Sequence, residues 1–320
     1  MGTHILVTGS AGHLGEALVR TLRAAGEPVR GLDRVASPWT DIVGSISDRA
    51  LVRAAMAGVS GVLHTATLHK PHVATRSRQD FVDTNVSGTL CLLEAAVDAG
   101  VQAFVCTSTT STFGDAMRPA PDQPAVWVDE TLTPRTKNVY GATKLAAEAL
   151  CEELHRTAGL PCIVLRTSRF FPEDDDEPAE RAARSTANLQ ANEFLHRRVD
   201  IEDVVEVHRV ALRAAPRLGF DRCIVSATTP FQREDAAALR HDLAGVLRRR
   251  VPGWEAVYAQ HGWTLPAGLE RVYDNLAART RLGWTPRTDF AAVLARLQAT
   301  GDIRSPLAQA IGCKGYHAAG

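Results

Sequence analysis

The chain has 320 residues, 45% of them apolar, and 36 Lys and Arg stand against 36 Asp and Glu. That length suggests about two domains of roughly 150 residues each, with apolar content for a sizeable core. The balanced charge excludes a global field that would draw in nucleic acid or an anionic membrane, so any anionic ligand needs a local site.

The first two-thirds alternate short β-branched runs with longer helical patterns. THILVTG reads as a strand and LGEALVRTLRAAG as an amphipathic helix ending at Gly26. PVRGLD is a second strand, SDRALVRAAMAG a helix with Ser47 as its cap, and SGVLHTA a third strand. NVSGTLCLLEAAVDAG is one long helix, VQAFVCTS a fourth strand, NVYGATKLAAEALCEELHRTAG another long helix, and LPCIVLRTS a fifth strand. Strands alternating with helices predict βαβ units, and so a parallel sheet with helices on both faces.

After Ser168 the pattern breaks. FFPEDDDEPAERAARS is acidic, proline-bearing and non-periodic, either a solvated loop or part of a flap over a site; the role of 172–187 stays open. DIEDVVEVHRVALRAA is a helix and RCIVSA a short strand, and from Thr228 onward helices dominate. Trp254, Trp263, Tyr273 and Trp284 fit either a core or a pocket wall. The six cysteines form no C-x-x-C pair and mostly sit in apolar runs, which fits buried, reduced thiols. The N-terminus enters a strand at once and no apolar run approaches the ~18 residues of a membrane span. The expectation is a soluble cytoplasmic protein. His64, His69 and His72 have no Cys or carboxylate co-ligands in their pattern, so no metal site is expected.

TGSAGHLG lies between the first strand and the first helix, with Gly9, Gly12 and Gly15 around His13 and Leu14. Gly9 permits a tight turn, Gly12 lets the backbone approach a pyrophosphate, and Gly15 lets helix pack on strand. The helix N-terminus then offers free N–H groups to phosphate. Asp33 ends the second strand, where a carboxylate accepts from adenosine ribose hydroxyls and repels a 2′-phosphate. NAD is therefore the expected cofactor, with NADP left open because Arg34 follows directly.

YGATK places Tyr140 and Lys144 four apart on a helix, with Cβ atoms about 5–6 Å apart. A phenol with pKa near 10 is a poor base at neutral pH. A lysine cation beside it is expected to lower that value by about two units. Six hydroxyl side chains, Thr107 through Thr112, follow the fourth strand, where a parallel sheet presents its ligand site. One or two of them are expected to be functional and the rest to satisfy backbone groups.

Together these motifs resemble the extended short-chain dehydrogenase/reductase superfamily in its NAD-dependent epimerase/dehydratase branch. The matching stretches are TGSAGHLG, Asp33, VLHTAT, TNVSGT, TSTTSTFG, YGATK, LRTS, DIEDVVEVH and LGWTPRTDF. The resemblance implies a Rossmann-type doubly wound α/β fold with a smaller, mostly helical C-terminal substrate domain. The corresponding division is 1–168 plus 200–226 for the cofactor and 169–199 plus 227–320 for the substrate. It places the catalytic roles on Thr109, Tyr140 and Lys144. It brings Ser45, Ile46, Ala66, Thr67, Asn85, Thr107, Thr167 and Ser168 to the cofactor, and Ser108 and Thr110, with Thr109 and Tyr140, to the substrate.

Two departures concern the substrate. Nucleotide-sugar members carry R-x-F-N-P after the fifth strand, whereas here Arg169 stands where the asparagine would be. The R-D-F-I-H-V segment reads His196-Arg197-Arg198-Val199-Asp200, so a diphosphate would meet Arg169, Arg197 or Arg198. Three activities follow as expectations. The first is a nucleotide-sugar epimerase or dehydratase, the second an NAD(P)-dependent alcohol dehydrogenase or ketone reductase on a non-nucleotide small molecule, and the third a non-catalytic NAD-binding regulator. The apolar faces of helices 85–99 and 140–156, which pair in relatives, imply a homodimer through a helix bundle.

Overall fold

The computed structural model describes residues 3–173 and 178–315. Nine strands are present among them: β1 (His4–Thr8), β2 (Val29–Asp33), β3 (Ile42–Val43), β4 (Val59–His64), β5 (Ala103–Thr109), β6 (Val126–Val128), β7 (Cys162–Thr167), β8 (Phe220–Val225) and β9 (Arg271–Tyr273). Seven of them form one parallel sheet in the order β3-β2-β1-β4-β5-β7-β8, and β6 pairs with β9 apart from it. The chain runs outward from β1 to β3 and then returns to β4 on the other side. The strand order therefore reverses between β1 and β4, and the crevice at their C-terminal ends is where such sheets bind ligands.

Period-two alternation sends each strand's side chains to two separate cores. Ile5, Val7, Val105 and Leu165 pack under α1 (His13–Ala24) and α8 (Ile201–Leu218). Leu6, Phe104, Cys106 and Val164 pack under α2 (Arg49–Ala55), α4 (Gly88–Asp98) and α5 (Val139–Ala158). Strands buried on both faces read as continuous apolar runs, which is why β5 and β7 stand out in the sequence. The fold is thus a doubly wound Rossmann-type α/β sheet with a helical C-terminal region.

Several local readings are corrected. The cap of α2 is Asp48, not Ser47: its carboxylate accepts from the Ala50 and Leu51 amides, while the Ser47 hydroxyl turns to the Asp83 carbonyl. One carboxylate reaching two orphan N–H groups outcompetes the neighbouring hydroxyl. The long helix expected from Asn85 opens instead with a short helix, α3 (Arg78–Phe81), and a π turn, Val82–Ser87, and becomes α-helical only at Gly88. The acidic segment, read as a solvated loop or part of a flap, holds α6 (Pro178–Ala183) and leads into α7 (Thr186–Phe194), which Ser185 caps through the Asn188 amide; Asp174–Glu177 lie outside the described residues.

A further core joins α7, β6 and β9 to α9 (Leu243–Arg250), α10 (Trp254–His261) and α11 (Phe290–Thr300). Trp254 belongs to it, whereas Trp284 is buried in the core beneath α1 and α8. The last helix, α12 (Pro306–Ile311), returns to that same core through Ile311. No helix of the described residues is long and apolar enough to cross a membrane.

Candidate active site

A cleft of about 1240 Å³ runs from the glycine loop, across the C-terminal ends of β1, β4, β5 and β7, to α7 and β9. That exceeds a drug-sized pocket, so a dinucleotide and a second molecule both have room. The glycine loop sets one end. Gly9 has φ +74°, and a Cβ there would meet the Ala66 amide at 2.7 Å. A Cβ on Gly15 would lie 1.9 Å from the Gly9 carbonyl oxygen. Gly12 caps α1 without a side chain, so the helix N-terminus keeps its amides for a ligand.

Asp33 reaches the loop from β2. One carboxylate oxygen accepts from the Ala11 amide at 3.0 Å and the other from the Val35 amide at 2.9 Å. Each oxygen retains a lone pair for a ribose hydroxyl. Arg34, Ser45, Ile46, Ala66 and Thr67 line the cleft as expected, as do His13 and Leu14. His13 is fully buried against Glu173, with Nε2 and Oε1 2.8 Å apart. Burial would raise the Glu173 carboxyl, but the His13 hydrogen bond and charge outweigh it and hold the carboxyl below its ordinary range.

Asn85 does not line the cleft. Its amide donates to the Leu68 carbonyl and Thr143 hydroxyl, and its oxygen accepts from the Leu68 amide and Thr67 hydroxyl. Every polar valence is used within the protein. Asn85 therefore positions the loop after β4.

The hydroxyl run divides by face. Thr107 bonds His208 Nε2 at 2.8 Å, and burial brings that imidazole down to about 4. Ser108 points the opposite way and donates to Glu148 Oε1 at 2.5 Å. Ser108 still lines the cleft, but the pleat turns its hydroxyl towards α5. Glu148, fully buried on α5, also binds Arg166 of β7 through both carboxylate oxygens and Arg222 of β8 at 3.1 Å. A buried carboxylate held by two guanidiniums pins the helix that carries Tyr140 to the strand that carries Thr109.

Thr109, Thr110 and Tyr140 all border the cleft. The Thr109 hydroxyl accepts from the Ser111 amide at 3.1 Å, and its proximity lowers the pKa of the Tyr140 phenol. Lys144 follows one turn on, 2% exposed, and its ammonium makes no hydrogen bond or ion pair among the described residues. The expected lowering of the phenol is overturned. Burial pushes Tyr140 up to about 12, and the Thr109 hydroxyl offsets only part of that. Loss of phenolate hydration is the larger cause.

Across from Tyr140, Thr167 donates to the Ser108 carbonyl, and the buried Ser168 hydroxyl has no partner among the described residues. Glu193 of α7, a residue without a sequence signal, is the hub of the substrate end. It meets Arg198 at 2.6 Å, Arg197 at 2.9 Å and Arg169 at 3.5 Å. Burial would raise its carboxyl, but the arginines hold it below the ordinary range. Arg169 and Arg197 line the cleft. Arg198 does not: it is 5% exposed and also bonds the Phe171 carbonyl, so its expected contact with substrate is corrected to a structural one. Tyr273 lines the far end. Among the described residues no three His, Cys, Asp or Glu side chains cluster to hold a metal; His64, brought down to about 3 mainly by burial, spans the Thr8 and Thr89 hydroxyls.

The NAD dependent epimerase/dehydratase family matches residues 5–219. The 3-beta-hydroxysteroid dehydrogenase of Mycolicibacterium neoaurum is 34% identical, over 88% of this chain and 87% of that protein. The chain belongs to the NAD-dependent epimerase/dehydratase family. A UDP-glucose 4-epimerase of Streptomyces lividans is 33% identical over 92% of this chain and 94% of its own length. Among solved structures, a short-chain dehydrogenase/reductase superfamily protein from Agrobacterium tumefaciens with bound NAD superposes with TM-score 0.67 at 24% identity, covering 92% of this chain and 96% of that one.

Membership makes this an NAD-dependent enzyme, and its residues fit the cofactor. The uncapped α1 terminus, the two glycines with no room for a Cβ, the unpartnered Ser168 hydroxyl and the solitary buried Lys144 ammonium all lie along or just beneath one cleft. Gly9, Gly12, Gly15 and Asp33 would hold the adenosine and phosphate half. Thr167, Ser168 and Lys144 would face the nicotinamide half.

Proposed function

We propose that this enzyme transfers hydride at a hydroxyl or keto carbon of a nucleotide sugar or related polyol, with Tyr140 as the acid–base. The observation that carries this reading is that Tyr140 and Thr109, at the mouth of β5, line the same cleft as the glycine loop. A substrate oxygen placed between the two hydroxyls would accept from Thr109 and exchange its proton with Tyr140. In the reducing direction the neutral phenol gives the proton to the carbonyl oxygen. In the oxidising direction the phenolate takes the proton of the substrate alcohol as the C–H hydride leaves. Bound NAD would supply the hydride acceptor and, when oxidised, a positive ring whose charge would favour the phenolate.

The substrate end favours an anion. Arg169 and Arg197 share Glu193 with Arg198, and Arg118, Lys137, Arg184 and Arg271 also line that end. A diphosphate matches such a wall better than an apolar ring system. The Streptomyces relative, a UDP-glucose 4-epimerase, supports the same class. A second reading is an alcohol dehydrogenase or ketone reductase on a non-nucleotide molecule. It is favoured by the Mycolicibacterium relative and by Arg169 in the place of the asparagine. Assaying nucleotide sugars and small alcohols for isomerised product and for NADH separates the two. Isomerised sugar with retained NAD supports the first, and net NADH from a neutral alcohol supports the second.

A homodimer through the outer faces of α4 and α5, and a reducing, cytoplasmic setting, belong to the same proposal. Val82 is exposed beside α4, and Leu145 and Leu150 are half-buried along α5. Five of the six cysteines are buried and all are free.

A further inference from the structure

The C-terminal segment is anchored so as to deliver one cation to the glycine loop. Ser305 caps α12 through the Ala308 amide and donates its hydroxyl to buried Asp200. Ile311 enters the core beneath α1, and Gly312, at φ +63°, ends the helix and redirects the chain. Lys314 then lies over the first turn of α1. Its amide donates to Glu173 Oε1 at 3.0 Å, the same oxygen that meets His13 Nε2. Its ammonium pairs with Glu16, a buried carboxylate one turn into α1. Lys314 borders the cleft together with Gly12 and His13.

Glu16 suits the helix, since a carboxylate in the first turn complements the macrodipole. It opposes a phosphate arriving at the same terminus. Arg20, 2.7 Å away, balances part of that charge from the outer side, and Lys314 balances it from the cleft side. We propose that Lys314 is a ligand of the cofactor diphosphate, delivered by the C-terminal segment and held ready by Glu16. With the diphosphate in place the ammonium lies between two anions, and Glu173 and His13 fix the backbone that carries it.

The test is calorimetric titration of the full-length protein with ADP, which carries the diphosphate, and with adenosine, which does not. Lys314→Ala is expected to weaken ADP about tenfold to a hundredfold and adenosine by less than about twofold. Lys314→Arg should restore most of the ADP affinity. Glu16→Gln, which removes the repulsion, should tighten ADP. Unchanged ADP affinity in Lys314→Ala overturns the proposal. So does equal weakening of both probes, or a loss of ADP binding in Glu16→Gln as large as in Lys314→Ala, since either outcome makes the pair a brace for the loop. Loss of turnover without change in ADP binding would bear on Tyr140 chemistry and leave this assignment refuted independently.

Discussion

The two ends of the cleft are built differently. At the glycine loop the backbone makes the site: amides at a helix terminus, a left-handed glycine and a carbonyl with no room for a Cβ. At the substrate end long side chains make it, arriving from β7, α7 and the segment after α7 to share Glu193. A backbone site is written locally, because only certain residues permit its geometry. A side-chain site is written by convergence, and sequence order does not say which arginine of a pair turns inward. Tyr140 lies between them, fixed to the sheet by the Glu148 network behind it.

The largest expected effect is at this junction. Tyr140→Phe should bind NAD as the wild type does and lose about 10²–10⁴-fold in turnover. Wild-type kcat on the true substrate would remove Tyr140 from the chemistry. The same variant tests the phenol's environment. Its folded pKa is about 12 against 10.0 for the unstrained group, so the folded state binds the extra proton between those values. Stability from this group is whole below 10.0 and is lost as pH rises toward 12. Tyr140→Phe should therefore show a flatter fall in melting temperature above pH ~10 than the wild type.

A paired substitution sharpens the substrate end. Arg198→Met leaves Glu193 short of its nearest buried partner, and breaking a buried pair costs about 3–5 kcal/mol of stability. Arg197→Gln, one residue away and half-exposed, also loses a pair with Glu193 but should cost less stability, because Arg198 and Arg169 remain. If the substrate is anionic it should raise KM roughly 10- to 150-fold, the worth of a charge-assisted contact, with NAD affinity preserved. Denaturant melts and steady-state kinetics read the two quantities. Reversed results would exchange the roles of the two arginines.

This contrast marks what was legible. The strand–helix alternation, Asp33 at the end of β2 and the Tyr140–Lys144 spacing all follow from local pattern, and the structure places them accordingly. Thr109 and Ser108 are adjacent hydroxyls, and only the pleat of β5 separates the one that faces Tyr140 from the one that binds Glu148. The Arg166–Glu148 pair joins residues 18 apart in sequence and gives no periodic signal. The phenol's upward shift comes from burial that composition does not reveal. Glu173 and Lys314, 141 residues apart, meet only because α12 returns to α1.

At the backbone end, Gly15→Ala should cost about 1–3 kcal/mol of stability and weaken NAD, because its methyl meets the Gly9 carbonyl rather than a flexible side chain. Gly26→Ala is the control within the same βαβ unit. Unlike Gly15 it has positive φ, and it has nothing within 4 Å of the added carbon, so it should cost only backbone strain and leave NAD affinity alone. Equal NAD loss in both variants would mean that the close approach at Gly15 is not what shapes the loop.

The smallest effect separates charge from scaffolding at Asp33. Its carboxylate repels a 2′-phosphate, yet both oxygens also hold loop amides, Ala11 and Val35. Asp33→Ala removes both functions, so NAD and NADP should both bind more weakly and the ratio alone would mislead. Asp33→Asn keeps one acceptor oxygen and the side-chain volume while removing the charge. It should shift the NADP-to-NAD affinity ratio by about tenfold, or 1.4 kcal/mol, with NAD itself little weakened. Arg34, which lines the same part of the cleft, then becomes the available partner for the phosphate. Dissociation constants for both cofactors in both variants decide the matter. An unaltered ratio in Asp33→Asn, together with weaker binding of both cofactors in Asp33→Ala, would make Asp33 a loop brace and leave cofactor choice to another residue.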